Sequence, residues 1–189
     1  VMMRTVAQAI ERHRLPNVVF DPVMVATSGA VLIDDAAITV LVTEMFPRAV
    51  LITPNLDEAG LLTGRALTCV QDMAQAAQAL LDRGARAVLL KGGHLPGDEL
   101  VDLLFDGDQM IEMRAPRIAT KNTHGTGCTL SSAIAALLPR CAGEFKPVEA
   151  SVRRARDYLL RAIAESGRLD VGKGHGPVHH FHALWPTLG

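Results

Sequence analysis

The stretch with the clearest chemical character is Asn122-Thr-His-Gly-Thr-Gly-Cys-Thr129, which precedes a helix predicted to start near Leu130. Gly125 and Gly127 permit a tight turn that brings successive backbone N–H groups together, and the helix adds unpaired donors and its positive dipole end. Such donors bind phosphate oxygens, or the charge that develops during phosphoryl transfer. An ordinary glycine-rich loop with an N-cap explains the same residues about equally well, because short glycine motifs are weak signals. The sequence does not continue as Gly-Lys-Ser/Thr, so it is not a Walker A motif.

Cys128 lies where this helix is predicted to begin. The positive end of the helix dipole favours a thiolate, which accepts a proton from a substrate hydroxyl. For an arbitrary cysteine, the more common role is a small buried side chain that fills space. The position of Cys128 inside the predicted anion-binding turn favours the chemical role, whereas Cys69 and Cys141 have no such setting.

Polar residues also follow three apolar runs that are predicted to be strands: Asp21 after Val18–Phe20, Asn55 and Glu58 after Ala49–Ile52, and Lys91 after Ala87–Leu90. Ligands of open α/β sheets bind beyond the carboxyl ends of the strands, so these residues lie where a site is expected. A carboxylate there holds Mg²⁺ beside a triphosphate, and a lysine there neutralises phosphate charge. Each residue also has an ordinary alternative, namely a helix cap for Glu58, a turn for Asp21 and a solvated side chain for Lys91. The agreement between three strand ends favours a ligand site.

The elements that position these residues alternate between strands and helices. The three apolar runs are continuous, which is typical of parallel strands buried on both faces. Helical periodicity lies between and after them, with these apolar positions: Val70, Met73, Ala77, Leu80 and Leu81; Leu130, Ile134, Leu137 and Leu138; Val148, Val152, Ala155, Leu159 and Ile163. A further helix is predicted to start at Asp34 or Asp35 and run toward Phe46. Leu100–Phe105 and Met110–Met113 flank an Asp-Gly turn and predict one hairpin.

This order predicts a single α/β domain over residues 1–189 with a mostly parallel central sheet, helices on both faces and one antiparallel hairpin. With 49% hydrophobic and 21% charged residues, the chain of 189 residues has enough apolar material for a core, which excludes intrinsic disorder. A net charge of −1 gives no electrostatic footprint for nucleic acid or an anionic membrane. The apolar runs are far shorter than the ~20 residues that a bilayer span needs.

Three scattered cysteines predict a reducing, cytoplasmic compartment rather than a disulfide framework. Near the C-terminus, His179, His180 and His182 follow a glycine-rich segment, but their spacing matches no standard set of zinc ligands.

Six segments, in order along the chain, resemble the ribokinase-like superfamily, and more closely the bacterial hydroxymethylpyrimidine/phosphomethylpyrimidine kinases of thiamine biosynthesis. They are Asp21-Pro-Val-Met-Val-Ala-Thr-Ser-Gly29, Leu51-Ile-Thr-Pro-Asn-Leu-Asp-Glu58, Val88-Leu-Leu-Lys-Gly-Gly-His94, Ala115-Pro-Arg-Ile118, Asn122–Thr129 and Gly172-Lys-Gly-His-Gly-Pro-Val178. The cysteine after Gly-Thr-Gly is the most telling residue, because most sugar kinases of the superfamily carry aspartate there.

The resemblance implies ATP-dependent phosphorylation of 4-amino-5-hydroxymethyl-2-methylpyrimidine, then of its monophosphate, to the diphosphate, with Mg²⁺. By position, the resemblance implies that Cys128 is the base and that Gly125, Thr126 and Gly127 donate anion-binding amides. It implies that Asn55 and Glu58 lie beside Mg²⁺ and the ATP phosphates, with Asp21 nearby. It places Val23 near the pyrimidine, and on the nucleotide side it places Lys91, Thr123, His124 and Lys173. It also implies a homodimer.

Members of this family begin with a further strand and a glycine-rich segment, which are absent from this sequence, so we expect the chain to be an N-terminally truncated fragment. A pyridoxal or pyridoxine kinase of the same superfamily is the alternative enzyme, because its substrate presents a similar ring and hydroxymethyl group. A non-catalytic nucleotide-binding relative is the alternative from another class.

Overall fold

A computed structural model describes residues 2–24 and 33–185 of the chain. Its residues group into two compact units, Val1–Pro116 and Arg117–Gly189, which are described in turn. The single domain predicted over residues 1–189 stays a prediction. The part of the first resembling segment that follows Met24 lies outside the described residues.

The first unit is built on a five-stranded sheet in the order β1-β2-β3-β4-β5. The bounds are β1 Val19–Phe20, β2 Leu51–Ile52, β3 Val88–Leu90, β4 Glu99–Phe105 and β5 Met110–Pro116. Strands β1, β2 and β3 run parallel, while β4 is antiparallel to both β3 and β5. The predicted parallel strands and the hairpin are therefore confirmed. Gly107 has φ +91° in the hairpin turn, a backbone conformation that suits glycine.

The described part of this unit contains four α-helices: α1 Met2–Arg12, α2 Asp35–Val40, α3 Leu56–Thr63 and α4 Val70–Asp82. Asp34 caps α2, because its Oδ1 accepts a hydrogen bond from the Ala37 amide at 2.7 Å. The α-helix ends before Phe46, since the chain continues as a π-helical turn, Leu41–Met45, and a short 3₁₀ turn. Helix α4 follows the predicted periodicity and buries Met73, Ala77 and Leu80.

The core of the first unit forms where the predicted apolar runs meet the apolar faces of the helices. All three residues of β3 and both residues of β2 are buried, as expected for strands covered on both faces. Met24, directly before the gap in the described residues, is also fully buried. The carboxyl ends of the parallel strands are therefore fixed by a packed core.

The second unit is mainly a pair of packed helices, α5 Thr126–Leu137 and α6 Pro147–Ala164, with 3₁₀ turns at Leu138–Cys141 and Glu165–Arg168. Helix α5 begins at Thr126, not near Leu130, so that prediction was wrong by a full turn. The apolar periodicity begins only at Leu130 because the residues of the first turn are exposed or half-buried, whereas Leu130 and Ile134 are buried. Among residues 2–24 and 33–185, no helix has the length and apolar character that crossing a bilayer requires.

Candidate functional site

The ends of strands β2 and β3 meet, as the sequence predicts for neighbouring parallel strands. Asn55, three residues after β2, and Lys91, directly after β3, form a parallel bridge, and the Lys91 amide donates to the Pro54 carbonyl at 2.9 Å. The polar residues that follow these two strands therefore lie at one edge of the sheet.

Asp21, at the end of β1, reaches the same edge. Its Oδ1 accepts hydrogen bonds from Lys91 Nζ at 2.8 Å and from Thr53 Oγ1 at 2.9 Å. The two charged side chains are only 12% and 16% exposed, so water screens the pair weakly. An ammonium group has three N–H donors, and a side chain held in this way still offers donors to an anionic ligand.

Glu58 lies in the first turn of α3 and is buried. Its Oε2 accepts from the Asn55 amide at 2.8 Å, and Asn55 Oδ1 accepts from the Glu58 amide at 2.8 Å, which forms a capping box. Burial raises the pKa of the Glu58 carboxyl group, while the hydrogen bond from Asn55 and the charge of Lys91 oppose that rise.

Val23 lies in a short turn between Asp21 and Met24. The Val23 amide donates to the Asp21 carbonyl across Pro22 at 2.9 Å. The side chain of Met24 is fully buried, whereas Val23 is 56% exposed. The turn therefore presents one apolar side chain at the carboxyl end of β1.

Asp21 and Glu58, the two carboxylates expected beside Mg²⁺, both accept hydrogen bonds within the protein. Glu58 Oε2 accepts the Asn55 amide, and Asp21 Oδ1 accepts from Lys91 Nζ and Thr53 Oγ1. Within the described ranges, no group of three or more histidine, cysteine or acidic side chains is placed to hold a metal ion. The residues present do not fit a magnesium site built by the protein alone, because Mg²⁺ in such a site needs several oxygen ligands.

In the second unit, the predicted anion-binding turn is the N-terminus of α5. Gly125 is its N-cap with φ +81°, which suits glycine. The Thr126 amide makes a long hydrogen bond to the Thr123 carbonyl at 3.4 Å. In the described part of the chain, the amides of Gly125, Gly127 and Cys128 have no acceptor. Three such donors at the positive end of a 12-residue helix form an anion-binding arrangement.

Cys128 is the third residue of α5 and is exposed. The alternative of a buried cysteine that fills space is therefore wrong for this residue. Its side chain lines an open groove of about 700 Å³ along α5 and α6, together with Ser132, Tyr158 and His180. The Tyr158 hydroxyl donates to the His180 carbonyl at 3.0 Å, which joins α6 to the segment after it.

The glycine-rich segment 172–178 lies beside this turn. The His124 amide donates to the Gly176 carbonyl at 3.2 Å, and His175 Nδ1 lies 3.1 Å from the Lys121 carbonyl oxygen. The side chain of Asn122 occupies the space that a Cβ at Gly176 would need, so any other residue there requires Asn122 to move. Lys173 and His124 are exposed, and Thr123 is exposed next to them. The structure thus brings together two motifs, Asn122–Thr129 and Gly172–Val178, that lie far apart in the sequence.

Sequence reasoning missed one contributor to the sheet edge. Thr53 supplies the hydroxyl that fixes Asp21, and the signal for it was its position directly after an apolar run.

The fold of this chain is ribokinase-like: an α/β arrangement with polar strand ends and an amide-rich helix start. A pyridoxal kinase from Staphylococcus aureus, solved in complex with AMP-PCP, matches it with a TM-score of 0.83 and 31% identity over 94% of this chain and 63% of that one. A phosphomethylpyrimidine kinase from Clostridium difficile matches with a TM-score of 0.69 and 31% identity over 85% and 63% of the two chains.

The sequence model described as phosphomethylpyrimidine kinase matches residues 1–179, and the chain belongs to that family. A hydroxymethylpyrimidine/phosphomethylpyrimidine kinase from Rhizobium meliloti is 51% identical over 168 residues, which are 88% of this chain and 62% of that protein. The chain therefore spans somewhat less than two thirds of the length of that relative.

Proposed function

We propose that the protein transfers the γ-phosphoryl group of ATP to 4-amino-5-hydroxymethyl-2-methylpyrimidine and then phosphorylates the monophosphate to the diphosphate, as a step of thiamine biosynthesis. One observation carries the proposal: the amides of Gly125, Gly127 and Cys128, which have no acceptor among residues 2–24 and 33–185, share one helix turn with the exposed Cys128 thiol. The 51% identity to a kinase of that name supports the choice of substrate.

In the first transfer, the thiolate of Cys128 accepts the proton of the substrate hydroxyl. The substrate oxygen forms a bond to the γ-phosphorus while the bond from that phosphorus to the bridging oxygen breaks, and ADP leaves with the electron pair. The amides of the α5 turn donate hydrogen bonds to the negative charge that develops on the transferred group. In the second transfer, a phosphate oxygen of the monophosphate is the nucleophile. Positioning and charge stabilisation supply most of the catalysis in such a reaction.

Lys91 is proposed to neutralise phosphate charge with the donors that Asp21 leaves free, and Asn55 lies beside it. We also propose that the nucleotide is bound in part by Thr123, His124 and Lys173. We further propose that Mg²⁺ is bound mainly through the phosphates of ATP, since the described carboxylates give no ligand set of their own.

The test is a coupled assay of ADP release with chromatography of the pyrimidine products, using the purified chain with ATP and Mg²⁺. The proposal expects ADP and the pyrimidine monophosphate to form in equal amounts, followed by the diphosphate. ATP hydrolysis without a phosphorylated pyrimidine contradicts the proposal. Thermal shift with ATP and Mg²⁺ tests binding separately, because a ligand of the folded state raises the melting temperature.

A pyridoxal kinase is the second candidate, and the TM-score of 0.83 to a pyridoxal kinase favours it. Parallel measurements of kcat/KM for pyridoxal and for the pyrimidine distinguish the two, since specificity is the ratio of these constants. A non-catalytic nucleotide-binding relative predicts ATP binding with turnover of neither substrate.

The homodimer and the cytoplasmic location are further proposals, which rest on the family resemblance and on the scattered free cysteines. Light scattering of the purified protein tests the first. A dimer gives about twice the mass of 20.2 kDa expected for the single chain.

A further inference from the structure

Asn122 connects the residues before α5 to the turn after α6. Its Nδ2 donates to the Ser166 carbonyl at 3.2 Å, and its amide donates to Thr120 Oγ1 at 3.1 Å. Ser166 lies in the 3₁₀ turn Glu165–Arg168 and is 1% exposed, so the acceptor belongs to a buried residue. Asn122 therefore holds the backbone that leads into the first turn of α5.

The same side chain lies against the backbone of Gly176. A Cβ at Gly176 would be 2.7 Å from Asn122 Cγ, which is far inside ordinary contact. Beside this contact, the His124 amide donates to the Gly176 carbonyl at 3.2 Å, and His124 forms a parallel bridge with Pro177. Asn122 thus packs between the start of α5 and the glycine-rich segment 172–178.

The glycine-rich segment 172–178 needs an anchor of this kind if it is to contribute to a binding site. A backbone with glycine at every second position from Gly172 to Gly176 has many accessible conformations, and a ligand that binds such a backbone has to order it. Lys173 is exposed three positions before Gly176. An anchor at Gly176 restricts the segment before the ligand arrives, which lowers the entropy cost of using Lys173.

We propose that Asn122 is a positioning residue of the nucleotide site, whose side chain clamps the glycine-rich segment 172–178 against the start of α5. In this arrangement, Lys173 and the amides of the first turn of α5 bind the same phosphate chain. The inference rests on the proposed function, because that function assigns Lys173 and these amides to the nucleotide. Asn122 acts through its two neighbours and does not itself touch ATP.

A capping role does not account for the contacts of Asn122. Asparagine is favoured at helix N-caps because its side chain accepts a hydrogen bond from an amide of the first turn. The N-cap of α5 is Gly125, three positions later. The Asn122 side chain instead donates to Ser166 and packs on Gly176, so its contacts join separate segments of the second unit.

The experiment is a double-mutant cycle of Asn122→Ala and Gly176→Ala. Gly167→Ala is the control, because a Cβ at Gly167 meets nothing within 4 Å and its φ is not positive. Hydrogen exchange of the His124 amide, followed by NMR without any ligand, reports the contact with Gly176. Calorimetry with ATP and Mg²⁺ gives the Kd for ATP, and steady-state kinetics give KM for the pyrimidine.

In each single variant, we expect the His124 amide to exchange roughly fivefold faster, as for the loss of one neutral hydrogen bond. We expect the Kd for ATP to rise by a similar factor, while KM for the pyrimidine stays within about twofold, because the clamp orders only nucleotide ligands. Gly167→Ala is expected to change none of these quantities. An unchanged Kd for ATP beside faster His124 exchange overturns the proposal, because the clamp is then purely structural.

The double variant tests whether the two residues act through their contact. Asn122→Ala removes Cγ and Oδ1, so the new Cβ at position 176 meets only the Cβ of residue 122, at an ordinary separation of 3.4 Å. We therefore expect the double variant to bind ATP at least as tightly as Asn122→Ala alone. A loss equal to the product of the two single losses shows independent sites and overturns the proposal.

Asn122→Ala keeps the inference testable if Gly176→Ala does not fold, because it only shortens a half-buried side chain. An unchanged His124 exchange rate in this variant rejects the clamp. If the unmodified protein binds ATP but phosphorylates no pyrimidine, the proposed substrate fails, while the ATP titrations and exchange rates still decide the role of Asn122. Absence of ATP binding overturns both proposals.

Discussion

Lys91 Nζ lies 2.8 Å from Asp21 Oδ1, a contact that joins the ends of β3 and β1 across the strand between them. Thr53, which follows that middle strand, donates to the same carboxylate oxygen at 2.9 Å. One oxygen thus fixes the ends of three parallel strands. The contact also directs the ammonium group toward the edge of the sheet where the proposed nucleotide phosphates are to bind.

We predict that Asp21→Asn lowers the free energy of unfolding by about 1–3 kcal/mol, because a mostly buried ammonium loses its charged partner. Urea denaturation measures this loss. In a double-mutant cycle with Lys91→Met, the second substitution removes the unpaired charge, so the double variant is expected to be more stable than the sum of the single changes predicts. Strict additivity of the two changes contradicts a direct coupling.

For Cys128, we predict that Cys128→Ala reduces kcat by roughly 10²–10⁴-fold, the usual contribution of a general base. ATP binding, measured by calorimetry, is expected to stay within a few fold because the helix amides are retained. Cys69→Ala is the matched control, since Cys69 is also exposed but lies at the start of α4. Equal kcat values in the Cys128 variant and the unmodified protein remove Cys128 from the mechanism.

Gly125 tests the amide arrangement separately from the thiol. A Cβ at this position meets nothing within 4 Å, so the only cost of Gly125→Ala is the φ of +81°. That cost is about 1–2 kcal/mol and is relieved by turning the amide away from its present direction. We therefore predict weaker ATP binding and a lower kcat in this variant.

Gly143→Ala is the control for that prediction, because Gly143 also has open space but no positive φ. Calorimetric titration of both variants with ATP makes the comparison. Equal affinity in Gly125→Ala and the unmodified protein shows that the amides of this turn do not bind the nucleotide.

Local signals predicted much of the first unit. Continuous apolar runs gave β2 and β3, and the Asp-Gly pair gave the hairpin, since both depend on residues close together in the chain. The start of α5 was misplaced because its first turn, with Gly127, carries weak helix propensity and faces away from the core.

Long-range contacts of the site had no comparable signal. Strand order predicted that Lys91 and Asp21 share one edge, but not that they pair, because the two residues are 70 positions apart. Sequence thus indicated which residues gather at the sheet edge, while their partners required the fold.

Asp72 provides a prediction of pH dependence away from the proposed site. The pKa of the Asp72 carboxyl lies below its ordinary value of 3.8 because of hydrogen bonds that the carboxylate accepts. The largest contribution is the bond from the Thr68 amide, followed by the bond from the Thr68 hydroxyl and those from Cys69. A carboxyl group with a depressed pKa in the folded state stabilises the protein above the pKa of the unfolded state. That stabilisation is lost as the pH falls through the folded-state pKa.

Asp72→Asn is therefore expected to be less stable than the unmodified protein at pH 7, because the amide is a weaker acceptor at the start of α4 and carries no charge to interact with the helix dipole. The difference in melting temperature between the two proteins is expected to shrink steadily below pH 3.8, as the native carboxylate becomes protonated. Calorimetry at pH 7, 5 and 3 measures it. A difference that stays constant over this range contradicts a charged cap, and a difference that grows on acidification reverses the sign of the proposed linkage.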